Sequence, residues 1–227
     1  MPFPPGRPVV LVNYKVYAEA TGRRAVELTQ ALARAAAGTR AVVAVAPQAA
    51  DLHRVAQATP LPVLAQHVDA HPHGSGTGAT LAEAAKEAGA VGTLLNHAER
   101  RLVLADLGAS VARAGGAGLV RVVCSDTVET TRAAAALRPE FVAIEPPELI
   151  GGDVSVTTAD PAIVRDAVDA ARQVAPGVRV LCGAGVKTGA DLAAALKLGA
   201  EGVLLASGVV KAKDPEAALR GILAGLP

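Results

Sequence analysis

The sequence predicts an α/β protein, one (β/α)8 barrel domain spanning residues 1–227, and three observations lead there. Short apolar runs alternate with helix-forming stretches eight times along the chain. Each connection between runs holds a helix, so neighbouring strands are expected to be parallel with right-handed crossovers. The unusual polar residues fall at the C-terminal ends of the runs, where such a barrel carries its chemistry. The rival architecture, an open doubly wound sheet, needs a topological switch point and usually a phosphate fingerprint after its first strand, and none follows residues 9–12.

Composition agrees with this layering. Apolar residues make up 51% of the chain but aromatics only 2%, so the core must be built from Ala, Val, Leu and Ile. Lys and Arg number 22 against 21 Asp and Glu, a net charge of +1, which gives no field to attract nucleic acid or an acidic membrane surface. The expected partner is a small molecule. Cys124 and Cys182 cannot make a disulfide framework, the proline-rich start lacks the apolar stretch of a secretory signal, and no run reaches the roughly 18 apolar residues of a membrane span. A cytoplasmic location follows as an expectation.

Taken in order, residues 9–12 are a β-branched-rich run before Asn13-Tyr14-Lys15, and residues 23–37 carry helix formers up to Gly38. Residues 41–46 precede a helix over about 49–58. Residues 62–66 precede a helix starting at Thr80, where Thr80 and Glu83 spell a capping box. Residues 92–96 lead to a helix over about 102–114, and residues 119–124 to a short one at about 128–137. Phe141 to Glu145 form the sixth strand. A long helix follows with Asp160 as its cap and Pro161 in the first turn, where a missing N–H costs nothing. Residues 179–182 lead to a helix capped by Thr188, and residues 202–206 to a last helix opened by Asp214-Pro215. The sum is eight strands and eight helices.

The polar strand ends are Asn13 and Lys15, Gln66, Asn96-His97-Ala98-Glu99, Glu145, Gly183-Ala184-Gly185 and Ser207-Gly208. After Glu145, Pro146 and Pro147 stop the strand because neither ring nitrogen can donate to a sheet ladder. The loop begins stiff and ends in Gly151-Gly152, which suits a lid with a rigid body. One Glu, one His and one Lys converging at a barrel mouth suit proton abstraction beside a carbonyl, with no metal required. Glu145 is placed to take the carbon-bound proton, while His97 and Lys15 stabilise the enediolate oxygen. The glycine loops after strands seven and eight leave N–H groups open to phosphate oxygens, and barrels of this type commonly bind phosphate there.

Two features imitate other chemistry. His67, Asp69, His71 and His73 have metal-ligand residue types, but they share one loop, whereas zinc enzymes of this fold gather ligands from several strand ends. Gly74-Ser75-Gly76-Thr77-Gly78 precedes a helix yet lacks the lysine of a nucleotide-binding loop. Cys124 and Cys182 each end an apolar run and read as buried structural residues.

Together, Asn13-Tyr14-Lys15, Asn96-His97-Ala98-Glu99-Arg100-Arg101 and Ala143-Ile144-Glu145-Pro146-Pro147 resemble the triosephosphate isomerase family, in order and over nearly the whole chain. Cys182-Gly183-Ala184-Gly185-Val186 and Leu205-Ala206-Ser207-Gly208 resemble its shorter archaeal branch. That family is itself the standard illustration of a glutamate base, a neutral histidine electrophile and a closing loop. The resemblance implies interconversion of dihydroxyacetone phosphate and D-glyceraldehyde 3-phosphate without a cofactor. It implies substrate contacts at Asn13 and Lys15, His97 as electrophile and Glu145 as proton acceptor. It also implies substrate or phosphate contacts at Ile150, Gly185, Ala206 and Ser207, with Glu99 supporting Lys15 and His97. The chain departs from the wider family in Ala98, where a serine is common, and in its Gly-Ala-Gly loop after strand seven. The compact region around helices four to six resembles archaeal relatives in which shortening accompanies a homotetramer rather than a homodimer.

Overall fold

The computed structural model describes residues 2–152 and 154–227, so Met1 and Asp153 lie outside the described residues. Eight strands alternate with helices: β1 (Val9–Asn13), α1 (Arg23–Ala36), β2 (Val42–Ala46), α2 (Leu52–Gln57), β3 (Leu64–Ala65), α3 (Ala82–Glu87), β4 (Gly92–Leu95) and α4 (Leu104–Gly116) come first. They are followed by β5 (Val120–Ser125), α5 (Val128–Ala136), β6 (Phe141–Ile144), α6 (Val156–Ala159), α7 (Pro161–Val174), β7 (Arg179–Cys182), α8 (Gly189–Lys197), β8 (Gly202–Leu205), α9 (Ser207–Val210) and α10 (Pro215–Leu223). The strands form one parallel ladder in the order β2-β1-β8-β7-β6-β5-β4-β3. The single parallel bridge Val45–Val63 joins β2 to β3 and closes the ring. This is the (β/α)8 barrel expected from the sequence.

Strand periodicity divides the apolar residues between two cores, because successive side chains point to opposite faces. Leu11, Ala44, Leu64, Leu94, Ala143 and Leu204 fill the barrel interior. Their neighbours Val10, Val12, Val43, Val45, Leu95, Val142 and Val203 face the helices. One end of the interior is stopped by Phe3, whose ring meets Phe141 edge-on at 5.5 Å. The Arg179 guanidinium lies 4.5 Å above Phe141 and its Nε donates to Glu201 at 2.7 Å. Continuing the inward phase at the other end reaches Asn13, Gln66 and Glu145, so the barrel mouth is polar by the same alternation that keeps its middle apolar.

Several local expectations hold: Asp160, Thr188 and Asp214 cap α7, α8 and α10 through their side chains. The capping box at Thr80 and Glu83 does not form. Helix α3 starts at Ala82 with Leu81 at its N-cap and no side-chain cap bond. Thr80 is held elsewhere: its N–H donates to Asp69 Oδ2 at 2.7 Å and its carbonyl accepts from the Asp69 N–H at 2.8 Å. The four-residue helices α6 and α9 and three 3-10 turns add to the eight helices read from the sequence. They are too short to leave a periodic signal.

At Gly202 an added Cβ would lie 1.9 Å from the Val9 carbonyl oxygen, inside the β1–β8 ladder. Gly202→Ala is therefore expected to destabilise the barrel by roughly 3–4 kcal/mol, read as a lowered urea midpoint.

Candidate active site

The end of β1 is fixed from behind. Tyr14 is fully buried and its hydroxyl shares a 2.7 Å hydrogen bond with Thr29 on α1, which pins the strand end between the two functional residues beside it. Asn13 continues the inward phase and accepts the Lys15 N–H on Oδ1 at 2.9 Å. Lys15 adopts φ +46, a left-handed conformation that is costly for a residue with a side chain and is seen most often at functional sites. Gln66 Nε2 supports this turn by donating to the carbonyls of Lys15 at 2.9 Å and Ala46 at 3.0 Å. The Lys15 ammonium is mostly buried and donates to Glu99 Oε1 at 2.8 Å.

His97 follows β4. Its Nδ1 accepts the Glu99 N–H at 3.1 Å, so the ring proton of the neutral imidazole belongs on Nε2. Burial, with Lys15 and Arg101 acting in the same direction, lowers the His97 pKa to about 4 against a weaker opposing pull from Glu99. His97 is therefore a neutral hydrogen-bond donor at pH 7, aimed through Nε2 at the mouth.

Glu145 is the first residue beyond β6, and its N–H donates to the Ser125 carbonyl at 2.8 Å. Its side chain is 8% exposed. Oε2 has no hydrogen-bond partner and stands 3.6 Å from His97 Nε2. Burial drives the carboxyl pKa up to about 7, a shift that Lys15 and the Cys124 thiol reduce without cancelling. Room for this carboxylate comes from Gly183, where a Cβ would sit 2.6 Å from Glu145 Oε1. A buried base with one unpartnered oxygen that titrates near neutrality is suited to taking a proton from carbon.

Two cavities meet at Lys15. The larger, about 260 Å³, is lined by Asn13, Gln66, His97 and Glu99. The smaller, about 30 Å³, is lined by Glu145, Ile150, Gly185, Ala206 and Ser207. Residues singled out in the sequence thus line two cavities that share Lys15. The small cavity has backbone at its wall: Ser207 opens α9, whose first N–H groups lack intrahelical acceptors. Gly185, at φ +71, lets the loop after β7 pack on the Val154 carbonyl, which a Cβ would approach to 2.0 Å. Above it, residues 147–149 form a 3-10 turn and Gly151 adopts φ +76.

Gln66 reads in the sequence as a polar strand end without a role and Cys124 as structural, and the spatial part played by Gly183 is not visible there. The inward phase of β3 carried a signal for Gln66, whereas the Gly183–Glu145 contact exists only once β6 and β7 are side by side. The histidine loop does not converge. His67 Nε2 pairs with Asp69 Oδ1 at 2.9 Å, and His71 Nδ1 lies 2.9 Å from the Pro72 carbonyl. Among the described residues no three His, Cys, Asp or Glu side chains gather as a metal site.

A family model described as triosephosphate isomerase matches residues 8–223. The chain is similar to a triosephosphate isomerase of Methanosarcina acetivorans, 51% identical over 218 residues, 96% of this chain and 98% of the relative. It is 52% identical over 212 residues to one of Methanothermobacter thermautotrophicus, 93% of each chain. A third, from Methanocaldococcus jannaschii, is 45% identical over 215 residues, 95% of this chain and 98% of the relative.

The raised pKa of Glu145 makes stability depend on pH. The folded state binds this proton more tightly than the unfolded chain, so the cost is absent below 4.5 and complete above about 7. His97 acts oppositely, losing stability as pH falls from 6.5 toward 4. Glu145→Gln is expected to be more stable than the parent at pH 8, by on the order of 2–3 kcal/mol, with the difference fading toward pH 4.5. Urea titrations across that range check it.

Proposed function

The chain belongs to the triosephosphate isomerase family and interconverts dihydroxyacetone phosphate and D-glyceraldehyde 3-phosphate, and we propose that it does so with Glu145 as base, His97 as electrophile and Lys15 as cation. The observation that carries these roles is the unpartnered Glu145 Oε2 facing His97 Nε2 at 3.6 Å beside the Lys15 ammonium. The step lies in glycolysis and, in reverse, in gluconeogenesis.

Glu145 removes a proton from the carbon beside the carbonyl, and the electron pair of that C–H bond moves into a carbon–carbon double bond as the carbonyl oxygen gains negative charge. His97 Nε2–H and Lys15 hold the resulting enediolate. Glu145 then returns its proton to the neighbouring carbon while the proton of the adjacent hydroxyl passes to the former carbonyl oxygen, so the second oxygen becomes the carbonyl and the two isomers exchange with no net loss of atoms or electrons. The chemistry moves protons only and draws on no redox cofactor. A base with a pKa near 7 can both take and give the proton at neutral pH, which suits a reaction run in both directions. A neutral imidazole donates to the developing oxyanion without having to give up a full positive charge first.

Asn13 orients Lys15, and Glu99 holds its ammonium. Backbone N–H groups of Gly185 and Ser207, the wall at Ala206, and Ile150 on the lid receive the phosphate. Residues 146–152 close over it, excluding water while the enediolate exists. The barrel domain is taken as residues 1–227. A homotetramer is favoured over a homodimer by the resemblance to the shorter archaeal relatives, and the exposed apolar side chains of Val103 and Leu104 at the start of α4 offer a contact surface. Among the described residues no helix is long and apolar enough to cross a membrane, and the cytoplasm, where glycolysis runs, is the proposed location.

Glu145→Gln is expected to lower kcat by about 10²–10⁴-fold in a coupled isomerase assay while a phosphate-bearing substrate analogue binds within about 3-fold of the parent. Comparable turnover in the variant removes Glu145 from the role of base. Light scattering should give a particle of four chains; a stable two-chain particle contradicts the tetramer.

A further inference from the structure

The inward positions of β4 are Gly92 and Leu94, while Leu95 faces the helix layer. Continued alternation would send residue 97 to the helix side as well, away from the mouth. The chain avoids this by leaving the strand through Asn96 at φ +60. Among the described residues only Lys15 and Arg138 share a positive φ without being glycine. Asn is one of the few residues with a Cβ that tolerates this left-handed conformation.

The Asn96 side chain does more than permit the turn. Nδ2 donates to the Cys124 carbonyl on β5 at 3.0 Å, and Oδ1 accepts the Leu102 N–H at 2.9 Å, six residues further on. One amide therefore closes the whole loop before α4 and fastens it to the neighbouring strand. Inside the closed loop the His97 carbonyl accepts the Arg100 N–H at 2.7 Å, and His97 Nδ1 accepts the Glu99 N–H.

Resting on the reading of His97 as electrophile, we infer that Asn96 is its positioning residue: a left-handed backbone, locked by two side-chain hydrogen bonds, turns His97 into the barrel mouth. Glycine at this position supplies the backbone conformation without the lock, and alanine supplies neither. The groups facing His97 are Lys15 from the loop after β1, Glu99 and Arg101 from its own loop, and Glu145 from β6. A ring that swings away from them toward water titrates closer to an ordinary histidine.

The test compares full-length parent, Asn96→Gly and Asn96→Ala by steady-state kinetics and by ¹⁵N NMR titration of the His97 ring. Removing one oxyanion donor outright costs about 10²–10³-fold in kcat, so misplacing it is expected to cost about 10- to 100-fold in Asn96→Ala and about 3- to 10-fold in Asn96→Gly. KM should stay within about 3-fold in both, because the donor acts chiefly in the transition state. The His97 titration should move upward in the order parent, Gly, Ala. Parent-like kcat and parent-like His97 titration in Asn96→Gly overturn the lock, and this holds even where Asn96→Ala does not fold. A lowered melting temperature in both variants with His97 titration unmoved makes Asn96 a stability residue and overturns the inference equally. A parent that fails to isomerise triose phosphates refutes the proposed function instead, and the ring titration still reads Asn96.

Discussion

Burial of the Glu145 carboxylate is the constraint on which the site depends. An ionised carboxylate without a hydrogen-bond partner is costly inside a protein, and Oε2 has none. That cost is what brings the pKa to about 7 and makes the group a usable base at neutral pH. Every neighbour must then keep the group buried without fully compensating it. His97 meets it as a neutral ring, and Lys15 has its ammonium directed to Glu99 rather than to Glu145. A closer ion pair with Lys15 would favour the charged carboxylate and return Glu145 to an ordinary, weakly basic carboxyl.

The barrel supplies this environment through strand geometry. Inward residues on β1, β3 and β6 pass from apolar in the middle to Asn13, Gln66 and Glu145 at the rim, so the base stands directly on the dry core above Ala143. The far end is sealed by Phe3, Phe141 and Arg179. His97 cannot be set by alternation alone and is reached through the left-handed turn at Asn96, while Lys15, past the end of β1, itself adopts a left-handed conformation; side chains hold both turns in place. Gln66 steadies one turn and Asn96 the other. Reactive groups thus rest on strand ends, and the irregular backbone is concentrated where it aims them.

Much of this was legible in the chain. The eight-fold alternation named the barrel, and polar residues at strand ends named Lys15, His97 and Glu145, the last marked by Pro146 and Pro147, which cannot continue the ladder. Long-range pairing was not legible. Thr80 has the spacing of a cap, yet Asp69, eleven residues away, claims its N–H. Gly183 reads in the sequence as part of a loop that offers N–H groups to phosphate, and its packing role lies in the carboxylate across the strand. Helices of four residues, such as α6 and α9, carry no period to detect.

The most direct test of the central claim is a ¹³C NMR titration of carboxyl-labelled glutamate in the unliganded protein, with Glu145→Gln identifying the resonance. A midpoint near 7 for Glu145 agrees with a base made by desolvation. A midpoint near the ordinary 4.5 contradicts it, because the carboxylate would then be solvated or paired and the arrangement around His97 and Lys15 would not be what tunes it.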